Sequence, residues 1–148
     1  MGATTPSWPL SSILLAVAGA ALVVTGLYFV LVRPPLLPED VRYMALPAAQ
    51  FDAVRPRLEL WLGNVFKVMG GYVLATGVLA ITLAATSFRA QHSGAAVGAL
   101  IGGAASIGWM AYVNFAINSD FKWVLLGMAL LWACSLIQFL IEKRAERV

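Results

Sequence analysis

The amino-acid sequence predicts an all-α membrane protein with four transmembrane helices in a compact antiparallel bundle. Hydrophobic residues make up 61% of the 148 residues and charged residues only 11%, whereas about 25% of an average soluble domain is charged. Four apolar runs reach the roughly 20 residues that cross a bilayer. All seven acidic residues fall between or after those runs. We therefore interpret residues 1–148 as a single membrane domain.

The first predicted span begins at about residue 10 and ends at about residue 32, where Arg33 and two prolines follow. Proline cannot continue a helix because it lacks the backbone N–H. The run has no basic segment before it, which favours a retained helix over a cleaved signal peptide. Short turns join the remaining spans, as expected for antiparallel neighbours. These spans cover about residues 65–88, 94–117 and 123–141.

The first connection, about residues 33–64, is too long for a simple turn and should contain short interfacial helices. Glu39 and Asp40 follow Pro38, an arrangement typical of a helix start. Apolar residues from Phe51 onwards recur at helical spacing. They predict an amphipathic helix on the membrane surface, interrupted or restarted at Pro56. The alternative is a partly ordered loop over the end of the bundle.

Small residues form regular stripes that predict close helix packing, which is how helices associate in lipid. One stripe repeats every four residues in the third span, and another repeats every seven residues in the first and second spans. The packing partner of the third span is expected inside the chain, with a homo-oligomer as the alternative. The residues are Gly94, Gly98, Gly102 and Ser106, then Gly19 and Gly26, then Gly63, Gly70 and Gly77.

Two tryptophans, Trp109 and Trp132, should lie at nearly equal depth on adjacent helices, close to mid-membrane. An indole ring at that depth either packs in the core or lines a hydrophobic cleft. We expect both rings to pack in the core.

Polar residues gather on the side of the first connection, which makes that end the candidate ligand site. Asn114 is the deepest of them, and a buried amide needs a hydrogen-bond partner, so it either joins helices or binds a ligand. Lys67 lies 22 residues before Arg89, about 33 Å along a helix, and therefore also fits a boundary residue that snorkels. The candidates are Lys67, Asn64, Asn114, Tyr112, Glu39, Asp40 and Tyr43.

Several chemistries lack the residues they need. With one cysteine and one histidine, the chain alone supplies no disulfide and no closed zinc site, and we predict no metal ligand and no catalytic residue. No span carries a mid-membrane acid, which disfavours a coupled transporter. No basic patch indicates nucleic-acid binding. No cofactor is predicted, and quinone or bound lipid is the candidate ligand.

The overall plan of four short glycine-rich helices, a long first connection and a basic tail resembles the bacterial DoxX-like and related small four-helix membrane families. The resemblance is architectural and assigns no functional residue. It implies a link to quinone-linked oxidoreductases.

We expect a multi-pass protein of the bacterial inner membrane, acting as an accessory or structural subunit that binds a lipid-like or quinone-like molecule. Its expected partners are the lipid bilayer and either further copies of itself or a larger membrane complex. The alternatives are a membrane-embedded enzyme or redox-complex subunit acting on a hydrophobic substrate, and a small transporter.

The orientation rests on basic residues. A simple count places the first connection in the cytoplasm. However, this connection carries as many acids as bases, and the basic tail directly follows the last span. We therefore expect both termini to be cytoplasmic.

Overall fold

The computed structural model describes residues 8–145, of which 86% are helical and none lies in a β-strand. Four helices within that range are long and apolar enough to cross a membrane. They are α1 (Leu10–Leu31), α3 (Ala48–Phe88), α4 (Ser93–Ala116) and α5 (Lys122–Ala145). A short helix, α2 (Pro38–Met44), lies between the first two. The structure therefore indicates an integral membrane protein.

The ends of the helices follow the chemistry of their flanking residues. Helix α1 stops one turn before the proline pair, and α2 starts with proline at its first position. Helix α5 continues four residues beyond the predicted end, to Ala145. Lys143 and Arg144 in its last turn suit the negative end of the helix dipole. Arg147 of the predicted basic tail lies outside the described residues.

Helix α3 is continuous through Pro56, with neither the predicted interruption nor the alternative loop. Pro56 removes one hydrogen bond, to the carbonyl of Asp52, and residues 52–57 are exposed so that solvent can reach that carbonyl. With 41 residues, α3 is about 60 Å long. It therefore extends well beyond the roughly 30 Å of hydrocarbon in a bilayer.

Helices α1 and α3 approach each other through glycines. A Cβ atom added to Gly26 would lie 2.5 Å from the backbone nitrogen of Leu74, and one added to Gly77 would lie 2.6 Å from the carbonyl oxygen of Gly19. Gly70 likewise faces the Gly26 carbonyl. Only hydrogen fits at these positions, so the glycines allow the two backbones to touch. Gly63 is less crowded, because a Cβ added there would lie 3.5 Å from Cγ of Pro35, an ordinary van der Waals contact.

The small residues of α4 have a different environment. A Cβ added to Gly94, Gly98 or Gly102 would meet no atom within 4 Å. Their packing partner is therefore not found among residues 8–145. The tight contact of α4 is at Gly103 instead, where a Cβ would overlap the indole of Trp132.

Trp132 of α5 packs against α4 and forms a hydrogen bond to it. Its side chain is 5% exposed, and its Nε1–H donates to the carbonyl oxygen of Ala99 at 2.9 Å. The predicted core packing is thus confirmed for this residue. Immediately after the contact, α4 contains a π-helical segment, Ala104–Gly108. A π turn widens the helix and shifts the faces that follow it.

Helices α3 and α4 meet at one end of the molecule, which we call the closed end and define by Ser11, Phe88, Gln91, Phe139 and Glu142. The Glu142 carboxylate accepts hydrogen bonds from the Ser11 backbone N–H at 3.1 Å, from the Ser11 hydroxyl, and from Gln91 Nε2 at 3.2 Å. The rings of Phe88 and Phe139 are buried, and their centroids lie 4.6 Å apart. These contacts join α1, the α3–α4 turn and α5.

Candidate functional site

An apolar groove lies between α3 and α4, on the side where these two helices separate. The main contacts between them involve the closed-end half of α4, Ser93–Gly103. Beyond it, α1 and α5 form the floor of a cavity of about 790 Å³. That volume lies within the roughly 300–1,000 Å³ range of small-molecule sites.

Hydrophobic side chains form most of the groove. The buried hydrophobic residues that line it are Leu22 on α1, Val73 on α3 and Leu125 on α5. Its walls are aromatic and aliphatic residues that remain accessible from outside, so the groove opens sideways between the helices. The wall residues include Phe66, Met69, Tyr72, Trp109, Met110, Val113, Phe121, Val124 and Met128.

A second cavity, of about 430 Å³, continues the groove towards the closed end. The two cavities share Thr76, Ala105 and Ser106. Along α3 the combined lining extends from Phe66 to Leu83, about 26 Å at the standard helical rise. The groove is therefore nearly as long as a hydrocarbon core is thick, about 30 Å.

The other end of the groove is polar, and we call it the open end, defined by Arg33, Glu39, Asp40 and Ser119. The Arg33 side chain is 7% exposed. Its Nη2 lies 3.1 Å from Asp40 Oδ2, and its Nη1 donates to the Pro34 carbonyl at 2.9 Å. Its Cζ lies 3.5 Å from the centre of the Phe66 ring. Arg33 thus connects the end of α1 to both α2 and α3.

Helix α2 lies across the open end because it is bound on one side to the end of α1 and on the other side to the α4–α5 turn. On one side Asp40 accepts from Arg33 and from the Leu37 backbone N–H at 2.9 Å. On the other side the Ser119 hydroxyl donates to Glu39 Oε1 at 3.3 Å. An exposed ion pair of 3.0 Å, between Arg42 and Asp120, adds a second link to the α4–α5 turn.

Glu39 is the least satisfied charged group at this site. Its side chain lines the groove although the residue is only 3% exposed. The 3.3 Å bond from Ser119 is long, and none of the ion pairs among residues 8–145 includes Glu39. A buried carboxylate normally requires a charged partner or several donors.

Three of the seven predicted ligand-binding residues line the groove: Glu39, Asp40 and Asn114. The Asn114 amide donates within α4, to the Met110 carbonyl at 2.9 Å, and does not join two helices. The other four residues lie outside the groove on exposed surfaces. These are Asn64, Lys67, Tyr43 and Tyr112.

Trp109 also lines the groove, and it is 64% exposed. The prediction that it packs in the core is therefore wrong, and the alternative, a hydrophobic cleft, describes its position. The centroid of its ring lies 5.4 Å from the centroid of the Tyr112 ring. The reason is the π segment directly before it, which changes the face that α4 presents from Trp109 onwards.

Two residues of the open end were not predicted from the sequence, Arg33 and Ser119. Arg33 follows an apolar run directly, a position typical of a headgroup anchor. Ser119 stands in the turn before Asp120 and Lys122, and no spacing rule singles it out. The sequence feature that could have indicated the Arg33–Asp40 ion pair is their separation of seven residues, with a proline pair between them that turns the chain.

Within the described range 8–145, no three His, Cys, Asp or Glu side chains come together as a metal site. Comparison of the chain with protein-family models, curated proteins and solved structures gives no match.

Proposed function

We propose that the protein binds one amphipathic, lipid-like or quinone-like molecule in the α3–α4 groove and serves as an accessory or structural subunit in its membrane. The observation that carries the proposal is the shape and chemistry of the groove. A long apolar channel is open to the side and ends on buried polar groups. A tail would lie along α3 and α4, and a headgroup would lie at the open end.

The proposal includes a compact antiparallel arrangement of the four spans, in a bacterial cytoplasmic membrane with both termini inside. The order of the glycine contacts supports opposite directions for α1 and α3. Gly19 faces Gly77, whereas Gly26 faces Gly70 and Leu74. The resemblance to DoxX-like families is the basis for the bacterial membrane.

The test is whether the purified protein retains an amphiphile that depends on the groove. We choose Ser106→Phe, because Ser106 belongs to both cavities and a phenyl ring there would block the channel. Ala104→Phe is the matched control, since Ala104 is exposed and lines neither cavity. Each variant would be extracted in a mild detergent, and bound molecules would be identified by mass spectrometry.

We expect one amphiphile to be enriched over bulk lipid, at about one per chain, in the unmodified protein and in Ala104→Phe. Occupancy should fall at least about tenfold in Ser106→Phe, because the tail loses its channel. If all three samples carry the composition of the surrounding membrane, the groove is not a binding site.

A further inference from the structure

The open end has an excess of negative charge, because its one cation is already engaged. The Arg33 guanidinium pairs with Asp40, donates to backbone carbonyls and is covered on one face by the Phe66 ring. With a side-chain exposure of 7%, it has little surface left for an anionic headgroup. Asp40 is likewise occupied, by Arg33 and the Leu37 N–H.

The remaining charge belongs to Glu39, which lines the groove without an ion-pair partner among the described residues. Its one donor, the Ser119 hydroxyl, itself accepts from the Phe121 N–H at 3.2 Å. The hydroxyl proton is therefore directed towards Glu39, which acts as the acceptor. A carboxylate in this environment is stabilised most by a cation that arrives from the groove.

The groove walls suit a cation as well. Aromatic rings of Tyr28, Trp109 and Phe121 line the same cavity as Glu39. Their faces attract positive charge, and this attraction increases where water is excluded. The lining thus pairs one unpaired carboxylate with several aromatic faces and an apolar channel.

We propose that the groove selects an amphiphile whose headgroup carries an ammonium cation, with Glu39 as its counter-ion. This proposal rests on the proposed function, because it names the headgroup class of the same ligand. The unpaired carboxylate of Glu39 also repels an anionic headgroup, so selectivity includes a repulsive part.

The experiment compares three probes that share a brominated sixteen-carbon chain and differ only in the headgroup: primary ammonium, hydroxyl or sulfate. The full-length protein would be placed in nanodiscs of uncharged lipid. Bromine quenches tryptophan on contact, and Trp109 lines the groove. The Trp109 signal is obtained by subtracting the fluorescence of Trp109→Phe, and Ser106→Phe reports quenching from the bulk lipid.

The decisive variant is Glu39→Gln, which keeps the size of the side chain and removes its charge. Asp52→Asn is the matched control, because Asp52 is exposed on α3 and outside the groove. In the unmodified protein and the control, we expect the ammonium probe to reach half-quenching at a mole fraction about tenfold below that of the sulfate probe. In Glu39→Gln the difference should fall to within about twofold, with the hydroxyl probe unchanged.

Binding of the hydroxyl probe also shows that Glu39→Gln is folded. If the ammonium preference survives in Glu39→Gln, or if the sulfate probe binds as tightly as the ammonium probe, this inference is wrong while the groove remains a lipid site. If no probe quenches Trp109 more in the unmodified protein than in Ser106→Phe, the proposed function fails and this inference fails with it.

Discussion

Helix α3 has two neighbours in the membrane and meets them in opposite ways. Against α1, glycine faces backbone at distances that exclude even one methyl group. Against α4, the main contacts involve the closed-end half of that helix, Ser93–Gly103, and beyond it the two helices enclose a groove of about 790 Å³. Close packing is what holds helices together in lipid. The chain thus packs α1 tightly against one side of α3 and leaves a groove between α3 and α4, where the proposed ligand would lie.

Two glutamates show the same contrast at the level of single groups. Glu142, at the closed end, accepts from both donors of Ser11 and from the side-chain amides of Gln91 and Gln138. Glu39, at the open end, is more deeply buried and has one long hydrogen bond. A carboxylate that accepts several hydrogen bonds stabilises the fold, whereas Glu39 has acceptor capacity left for the cation that we propose.

The α1–α3 contact should give the largest effect when it is broken. Gly77→Leu forces a side chain into the backbone of Gly19 and Val23, so we expect the free energy of unfolding to fall by about 3 kcal/mol or more. The measurement is an unfolding titration in mixed micelles, followed by circular dichroism. Gly71→Leu, six residues away and with no atom near its added Cβ, should change stability by less than about 0.5 kcal/mol. Equal losses in both variants would mean that the glycine contact with α1 does not account for the loss of stability.

A smaller loss is expected at the closed end. Glu142→Ala leaves the Ser11 N–H and two glutamine amides without their acceptor, which should lower stability by about 2 kcal/mol. The same titration would measure it, together with faster hydrogen exchange at the Ser11 amide. Glu59→Ala is the control, since it removes only an exposed ion pair with Arg55, which contributes little because solvent screens it. A result for Glu142→Ala no larger than the control would mean that the closed end is not held by this carboxylate.

The smallest effect is expected at Lys67, which is exposed and outside the groove. Lys67→Gln should leave ligand occupancy within about twofold and stability within about 0.5 kcal/mol. Occupancy is measured by the extraction and mass spectrometry used for Ser106→Phe. If Lys67→Gln releases the ligand as completely as Ser106→Phe does, the site lies on the exposed surface of α3 and not in the groove.

The sequence predicts the ends of the long apolar helices well, because apolar runs and their flanking charges are features of single segments. The first span ends within one residue of its predicted end at residue 32, and the third is displaced by one residue. It does not indicate which way each side chain faces. Tyr112 and Asn114 belong to the same predicted polar group, yet two residues turn a helix by about 200°, and only Asn114 lines the groove.

The rest depends on contacts between distant segments. The π segment Ala104–Gly108 follows the contact between Trp132 and Gly103, and no property of α4 alone predicts it. Arg33 turns inwards because α2 folds back and brings Asp40 to it. The end of a span is predictable from local residues, but the ion pair made by a residue that follows it, such as Arg33, is not.

Helix α2, lying across the open end, leaves the lateral gap between α3 and α4 as the wide approach to the groove. A molecule that arrives this way is drawn from the bilayer, so its occupancy follows its mole fraction among the lipids and not its concentration in water. Each methylene group removed from water contributes about 0.8 kcal/mol to partitioning, so the membrane has already concentrated a long-chain amphiphile before it reaches the protein. Even a groove of modest intrinsic affinity would then be filled, and its occupancy would vary with the composition of the membrane.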